Sequence, residues 1–194
     1  EVVMTPAQDG MRGAIKEALA LKKKHPEYFM PQQFENPSNP QAHRKTTALE
    51  VLHQMEGRID AFVAGVGTGG TLTGVGEVLK RELPAVRVIA VEPTDSAVLS
   101  GGPAGPTEID GLGAGIIPPV LNTEAIDQIV AVTNAEARQM ARRLPREEGL
   151  LCGYSSGAAA HAAAVVSEEM GEGKDVVVIL PDTGDRYMSS MLFG

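Results

Sequence analysis

The fold is decided by fourteen residues, Ala61-Phe-Val-Ala-Gly65-Val-Gly67-Thr68-Gly69-Gly70-Thr71-Leu-Thr-Gly74. Residues 61–64 form a short apolar run, as in a buried strand, and the glycines after them predict a tight turn. The next residues, 72–83, carry apolar side chains at helical spacing. Strand, glycine turn and helix in this order predict one unit of a parallel sheet that is covered by helices.

The same alternation continues to the end of the chain. Further short apolar runs predict strands at 86–92, 126–132 and 175–180, and the segments between them predict helices at 134–148 and 155–169. Asn134 is the predicted N-cap of the first of these helices. The predicted fold class is α/β, a mostly parallel twisted sheet with helices on both faces.

The first 55 residues have a different pattern. They predict a strand at Val2 to Thr5, a helix from Gly10 to Lys24 capped by Asp9, and a second helix from Gln41 to Met55. Tyr28 to Met30 is a candidate for another short strand. The connection between the helices, residues 31–40, is rich in Pro, Asn and Gln, so we place a domain boundary there.

Composition excludes several classes of protein. The chain has 194 residues, 43% of them apolar, and 17 Lys and Arg against 25 Asp and Glu give a net charge of −8, scattered along the sequence. No nucleic-acid partner is expected, and no apolar stretch approaches the roughly 20 residues that cross a membrane. The four histidines lack metal-ligand spacing, so we predict no metal site. The single Cys152 and the absence of a basic leader predict a cytoplasmic location.

The glycine turn is predicted to bind an anion, and two kinds of ligand fit its sequence. Residues 65–70 satisfy the G-x-G-x-x-G pattern, and Glu92 at the end of the next strand suits a ribose-binding acid of a dinucleotide site. However, Thr68 and Thr71 add hydroxyls beside the backbone amides, which favours a phosphate monoester.

A second turn, Gly153-Tyr-Ser155-Ser156-Gly, opens another predicted helix. The two serines are either helix caps or, in the functional interpretation, include a hydroxyl partner for the ring nitrogen of a heteroaromatic cofactor. A serine would leave that nitrogen neutral, whereas a carboxylate would hold it protonated. A neutral ring is a weaker electron sink and favours expulsion of a leaving group over a long-lived carbanion.

Several blocks of the chain resemble the cysteine synthase (O-acetylserine sulfhydrylase) family. They are Asp9-Gly-Met-Arg-Gly-Ala14, Phe34-Glu-Asn-Pro-Ser-Asn-Pro40 with His43 and Thr46-Thr47, Gly67-Thr-Gly-Gly-Thr71, Glu92-Pro93, Gly111-Leu-Gly-Ala-Gly115, Ser155-Ser-Gly-Ala158 and Pro181-Asp-Thr-Gly-Asp-Arg-Tyr187. The resemblance implies the tryptophan synthase β-like fold and pyridoxal 5′-phosphate as cofactor. It also implies that residues 1–36 are a remnant of an N-terminal small domain and 37–194 a C-terminal cofactor-binding domain.

The resemblance further implies roles for individual residues. Five would bind the cofactor phosphate, one would face the pyridine nitrogen and three would border the substrate: Gly67, Thr68, Gly69, Gly70 and Thr71; Ser155; and Gly111, Gly113 and Ala114. The implied reaction is a β-replacement that forms L-cysteine from O-acetyl-L-serine and sulfide. The family also leads us to expect a homodimer that binds small-molecule substrates, an activated serine and sulfide.

One element of the family is missing from this sequence. The lysine that forms a Schiff base with the cofactor lies in a Ser-Val-Lys-Asp-Arg type segment, which would precede residue 1. We therefore expect the N-terminal portion to be missing, name no catalytic residue in this chain, and expect the chain alone to be inactive.

Three alternatives remain open at this stage. One is a related β-replacement enzyme that uses O-phosphoserine, or serine with homocysteine, because Thr107 stands where many cysteine synthases have His. Another is a catalytically inactive binding or scaffold fragment. The third is a dinucleotide-binding dehydrogenase domain.

Overall fold

The computed structural model describes residues 1–193 and contains one four-stranded sheet. In chain order its strands are β1 (Ala61–Gly65), β2 (Arg87–Pro93), β3 (Gln128–Val132) and β4 (Val176–Val178). The strands lie in the order β3-β2-β1-β4, and every pairing is parallel. Because β1 lies between β2 and β4, the chain first adds β2 and β3 on one side of β1 and later adds β4 on the other side of β1.

Within residues 1–193, six helices accompany the sheet. They are α1 (Gly10–Lys24), α2 (Ser38–Lys45), α3 (Thr47–Gln54), α4 (Gly70–Glu82), α5 (Asn134–Glu147) and α6 (Tyr154–Met170). Short 3-10 turns lie at Ala7–Asp9, Thr94–Ser96, Thr123–Ala125 and Gly184–Tyr187.

The alternating side chains of β1 divide the core into two layers. Phe62 belongs to a buried cluster with Leu72 and Leu79 of α4, while Val63 belongs to a second cluster with Ala158 of α6. Helices therefore cover both faces, as buried parallel strands require. The predicted α/β class with a parallel sheet is confirmed.

The strands predicted near the N-terminus are wrong. Residues 2–5 and 28–30 form no strand, and Val2, Met4 and Phe29 are largely exposed. A strand exists only where a neighbouring strand accepts and donates its backbone hydrogen bonds, and none of the described strands lies beside these segments. Their β-branched and aromatic residues were therefore a misleading local signal.

Helix boundaries also differ in three places. The predicted helix from 41 to 55 is two helices, α2 and α3, which are separated at Thr46 (φ −122°, ψ −81°). Asp9 makes no side-chain cap bond to α1 because its backbone is itself helical (φ −83°, ψ −12°). The N-cap of α5 is Thr133, which forms a capping box with Glu136, and not Asn134.

Replacement of Leu79 tests the layer formed by α4. Leu79 is fully buried, so Leu79→Ala should lower the free energy of unfolding by about 2–5 kcal/mol through lost packing and a residual cavity. Leu49→Ala is the matched control, since that side chain is 51% exposed, and should cost less than about 0.5 kcal/mol. Urea unfolding measures both, and equal losses would contradict the assigned core.

Candidate active site

The glycine turn after β1 has the geometry of an anion cradle. Gly69 is the N-cap of α4 and has a left-handed backbone (φ +82°), which residues with side chains seldom adopt. A β-carbon on Gly67 would overlap the carbonyl oxygen of Gly111, and one on Gly70 would overlap the Asn39 side chain. The turn thus leaves backbone amides and the N-terminus of α4 facing a cavity of about 320 Å³.

The Thr68 hydroxyl is oriented by hydrogen bonds that it accepts. Its oxygen accepts from Asn39 Nδ2 at 2.9 Å and from the Gly70 amide at 3.3 Å. Asn39 also donates to the carbonyl of Gln33 at 2.9 Å, which fixes the amide. A hydroxyl has one proton and two lone pairs, so this arrangement leaves the Thr68 proton for an anion in the cradle.

The Thr71 hydroxyl is tied to His43. His43 Nε2 lies 3.1 Å from Thr71 Oγ1, and Nδ1 lies 2.9 Å from Thr47 Oγ1. Burial lowers the pKa of His43, so its ring is held neutral. When Thr47 donates to Nδ1, the Nε2 proton is donated to Thr71, whose own proton stays available for an anion.

The second turn opens into the same cavity. Ser155 lies in the first turn of α6, is 5% exposed and lines the cavity together with residues 67–71. Its hydroxyl makes no hydrogen bond to any described residue, whereas Ser156 donates to Asp182 at 3.0 Å. Neither serine is the N-cap of α6, which is Gly153. The capping interpretation of these serines is therefore wrong, and a buried polar side chain in this cavity is left with a free donor.

A larger cavity of about 770 Å³ adjoins the first and shares residues with it. Gly111, Gly113 and Ala114 line it, in a loop where Gly111 (φ +88°) and Gly113 (φ +66°) are left-handed. Arg12 of α1 also lines it and donates a hydrogen bond to the carbonyl of Gly115, at the end of the same loop. The three residues predicted to border a substrate are thus together, although their role remains a prediction.

Comparisons with known proteins agree with this geometry. The family model described as pyridoxal-phosphate dependent enzyme matches residues 1–182. The chain is 56% identical over 194 residues to cysteine synthases of Staphylococcus aureus, among them those of strains Mu50 and N315. This alignment covers all of the chain and 62% of those relatives.

The chain belongs to the pyridoxal-phosphate-dependent enzyme family.

Solved structures of family members superimpose closely on this chain. O-ureido-L-serine synthase matches with a TM-score of 0.94 and 43% identity, and covers 100% of this chain and 61% of its own. Cysteine synthase from Entamoeba histolytica matches with a TM-score of 0.92 and 42% identity, and the match covers 100% of this chain and 57% of that enzyme. The predicted tryptophan synthase β-like architecture of this family is confirmed.

The residues of this chain fit the family's cofactor. β-carbons at Gly67 and Gly70 would collide with the Gly111 carbonyl and the Asn39 side chain, so the turn requires glycine there. Thr68 keeps a proton for an anion, and Ser155 offers an unused hydroxyl at the same cavity. These features suit a phosphate at one end and a ring nitrogen at the other. Among residues 1–193, neither cavity is lined by a lysine.

Glu92, the residue on which the dinucleotide interpretation depended, is unsuited to that role. It is 1% exposed, and its carboxylate accepts from the amides of Leu99 and Ser100, at 2.8 and 3.0 Å, and from the Ser100 hydroxyl at 2.5 Å. These bonds fix the loop after β2 and leave the carboxylate enclosed. The family match and this burial together remove the dehydrogenase alternative.

Sequence reasoning missed several residues that build the site. Asn39 orients Thr68, and Asp182 and Tyr187 line the smaller cavity, yet no role was predicted for them. Asn134 was predicted only as a cap, but it accepts from Thr107 Oγ1 at 3.0 Å and so holds the glycine loop. Two features of the sequence could have identified these residues. Asn39, Asp182 and Tyr187 lie in the blocks that resemble the family, and Asn134 follows the end of a predicted strand, where ligands of parallel sheets bind.

The neutral state of His43 predicts a pH dependence of stability. Because the folded-state pKa is lowered, the unfolded chain binds more protons at acid pH, and stability should fall as pH drops below about 6.5. His43→Gln should give a shallower loss between about pH 7 and pH 5. Urea unfolding at several pH values measures the slope.

The matched control for this prediction is His53→Gln, since His53 is exposed on α3. It should leave the slope unchanged. A His43→Gln slope equal to that of the unaltered chain would contradict a neutral, half-buried His43.

Proposed function

We propose that this chain is the cofactor-binding portion of a cysteine synthase, which forms L-cysteine from O-acetyl-L-serine and sulfide. The observation that carries the proposal is the presence, in one cavity, of an anion cradle at residues 67–71 and the free hydroxyl of Ser155. The 56% identity to Staphylococcus aureus cysteine synthases supports the choice of reaction. The chain spans 62% of those relatives, so the activity of the whole protein is inferred from a part.

The residues of this chain would divide the work of holding pyridoxal phosphate. The amides of 67–71 and the Thr68 and Thr71 hydroxyls would bind the phosphate, and Ser155 would donate to the ring nitrogen. When bound, the cofactor supplies an electron sink for the α-carbon of the substrate, which is bonded to the β-carbon that carries the leaving group. Ser155 carries no charge, so it would leave the ring nitrogen neutral and favour loss of the leaving group.

Two further observations concern the Schiff-base lysine and the division of the chain into domains. The absence of a lysine from the lining of both cavities, within residues 1–193, supports a Schiff-base lysine outside this chain. Helix α1 has no buried residue, which supports the assignment of 1–36 to a separate small domain and 37–194 to the cofactor domain.

A homodimer remains part of the proposal. Among the described residues, no helix combines the length and the apolar character that a membrane crossing requires.

A related β-replacement is the second candidate function. O-acetylserine-dependent cystathionine β-synthase from Helicobacter pylori matches with a TM-score of 0.94 and 41% identity, over 100% of this chain and 63% of its own. The larger cavity, about 770 Å³, has room for a nucleophile bigger than sulfide. The same cradle and Ser155 would serve either reaction.

Binding of pyridoxine 5′-phosphate tests the site directly. This analogue has an alcohol in place of the reactive aldehyde, so it needs no lysine to bind. We expect the chain to bind it, and Ser155→Ala to weaken binding about tenfold because the ring nitrogen loses its donor. Isothermal titration measures both.

The control variant is Ser167→Ala, an exposed serine on the same helix, which should bind as the unaltered chain does. Failure to bind the analogue, or tighter binding of a reduced nicotinamide dinucleotide, would refute the proposal. Assays of the whole holoenzyme then separate the two reactions. Cysteine should form faster from O-acetyl-L-serine and sulfide than cystathionine forms with homocysteine as the nucleophile, and the reverse order would favour the second candidate.

A further inference from the structure

Asp182 forms the centre of a hydrogen-bond network beside Ser155. It follows β4 and Pro181 and lines the smaller cavity. One carboxylate oxygen accepts from the Gly153 amide and from the Ser156 hydroxyl, each at 3.0 Å, and the other accepts from the Tyr187 hydroxyl at 2.6 Å. The carboxylate therefore links the segment after β4 to the first turn of α6.

Tyr187 completes this network. Its ring packs edge-on against Tyr154, with centroids 5.6 Å apart and planes at 82°. A β-carbon at Gly153 would overlap the Tyr187 ring, so glycine permits the close approach. Burial, followed by the nearby Asp182 carboxylate, raises the pKa of Tyr187, and the phenol therefore keeps the proton that it donates.

The two chain neighbours of Ser155 are consequently both anchored. Tyr154 is held by the Tyr187 ring and Ser156 by Asp182, while the Ser155 hydroxyl between them has no partner among the described residues. An anchor on each side of a residue fixes the direction of its side chain. The network thus restrains the backbone from which the Ser155 hydroxyl projects.

We propose that Asp182, held by Tyr187, is a positioning residue that aims the Ser155 hydroxyl at the ring nitrogen of bound pyridoxal phosphate. This inference rests on the proposed function. Asp182 acts through Ser155, since it holds the Gly153 amide and the Ser156 hydroxyl on either side of that residue. Nothing in this role requires it to touch the phosphate cradle.

Two ligands separate positioning from a general effect on the cavity. Asp182→Ala should weaken binding of pyridoxine 5′-phosphate about tenfold and should not weaken binding of inorganic phosphate. Asp182→Asn keeps a carbonyl for Gly153 and Ser156 and an amide for the Tyr187 oxygen, so it should bind within about threefold of the unaltered chain. Asp185→Ala, at an exposed position three residues further on, is the matched control and should change neither affinity.

A double-mutant cycle provides the decisive readout. If Asp182 acts through Ser155, Asp182→Ala should cost no further affinity for pyridoxine 5′-phosphate once Ser155 is already Ala. An undiminished loss in that background would overturn the inference, as would an Asp182→Ala variant that binds like the unaltered chain. If the unaltered chain itself fails to bind the analogue, the proposed function fails instead.

Tyr187→Phe keeps the test possible if Asp182→Ala does not fold. It removes only the hydroxyl that holds Asp182 and keeps the ring against Tyr154. We expect a loss of about threefold in affinity for pyridoxine 5′-phosphate, which should vanish in the Ser155→Ala background. Urea unfolding of each variant confirms that folded protein is compared, and an equal loss in both backgrounds would overturn the inference.

Discussion

Parallel pairing of β1 with both β2 and β4 is the constraint on which the rest of this structure depends. Gly65 lies opposite Val91, and Val63 lies opposite Val178, so the carboxyl ends of these strands meet at one edge of the sheet. The chain leaves β1 in one direction and returns beside it from the other, which makes the gap between β1 and β4 a topological switch point. Ligands of open parallel sheets bind at such a gap.

The site is assembled from the segments that this edge brings together. The glycine turn follows β1, Asp182 follows β4, and Ser155 opens the helix that runs back along the sheet. Each supplies a different property: backbone amides for an anion, a carboxylate for anchoring, and an unused hydroxyl. Asn39, on the separate helix α2, adds the hydrogen bond that orients Thr68. Chemistry at this site therefore depends on contacts between residues far apart in the sequence.

The sequence predicted the parts of the fold that have a local cause. The strand, glycine turn and helix over 61–83 follow from apolar spacing and from glycines, and the structure agrees within two residues at each boundary. The strand at 2–5 was wrong because β-branched residues fit a sheet only when a neighbour pairs with them. The enclosure of Glu92 and the partners of Asp182 depend on distant loops, so neither could be read from local patterns.

The central claim is that one phosphate-bearing heteroaromatic ring spans the cavity between the glycine turn and α6. A crystal structure of the chain with pyridoxine 5′-phosphate tests it most directly. We expect the phosphate on the amides of residues 67–71 and the ring nitrogen within hydrogen-bonding distance of Ser155 Oγ. A ring that points away from Ser155, or a phosphate bound elsewhere on the protein, would contradict it.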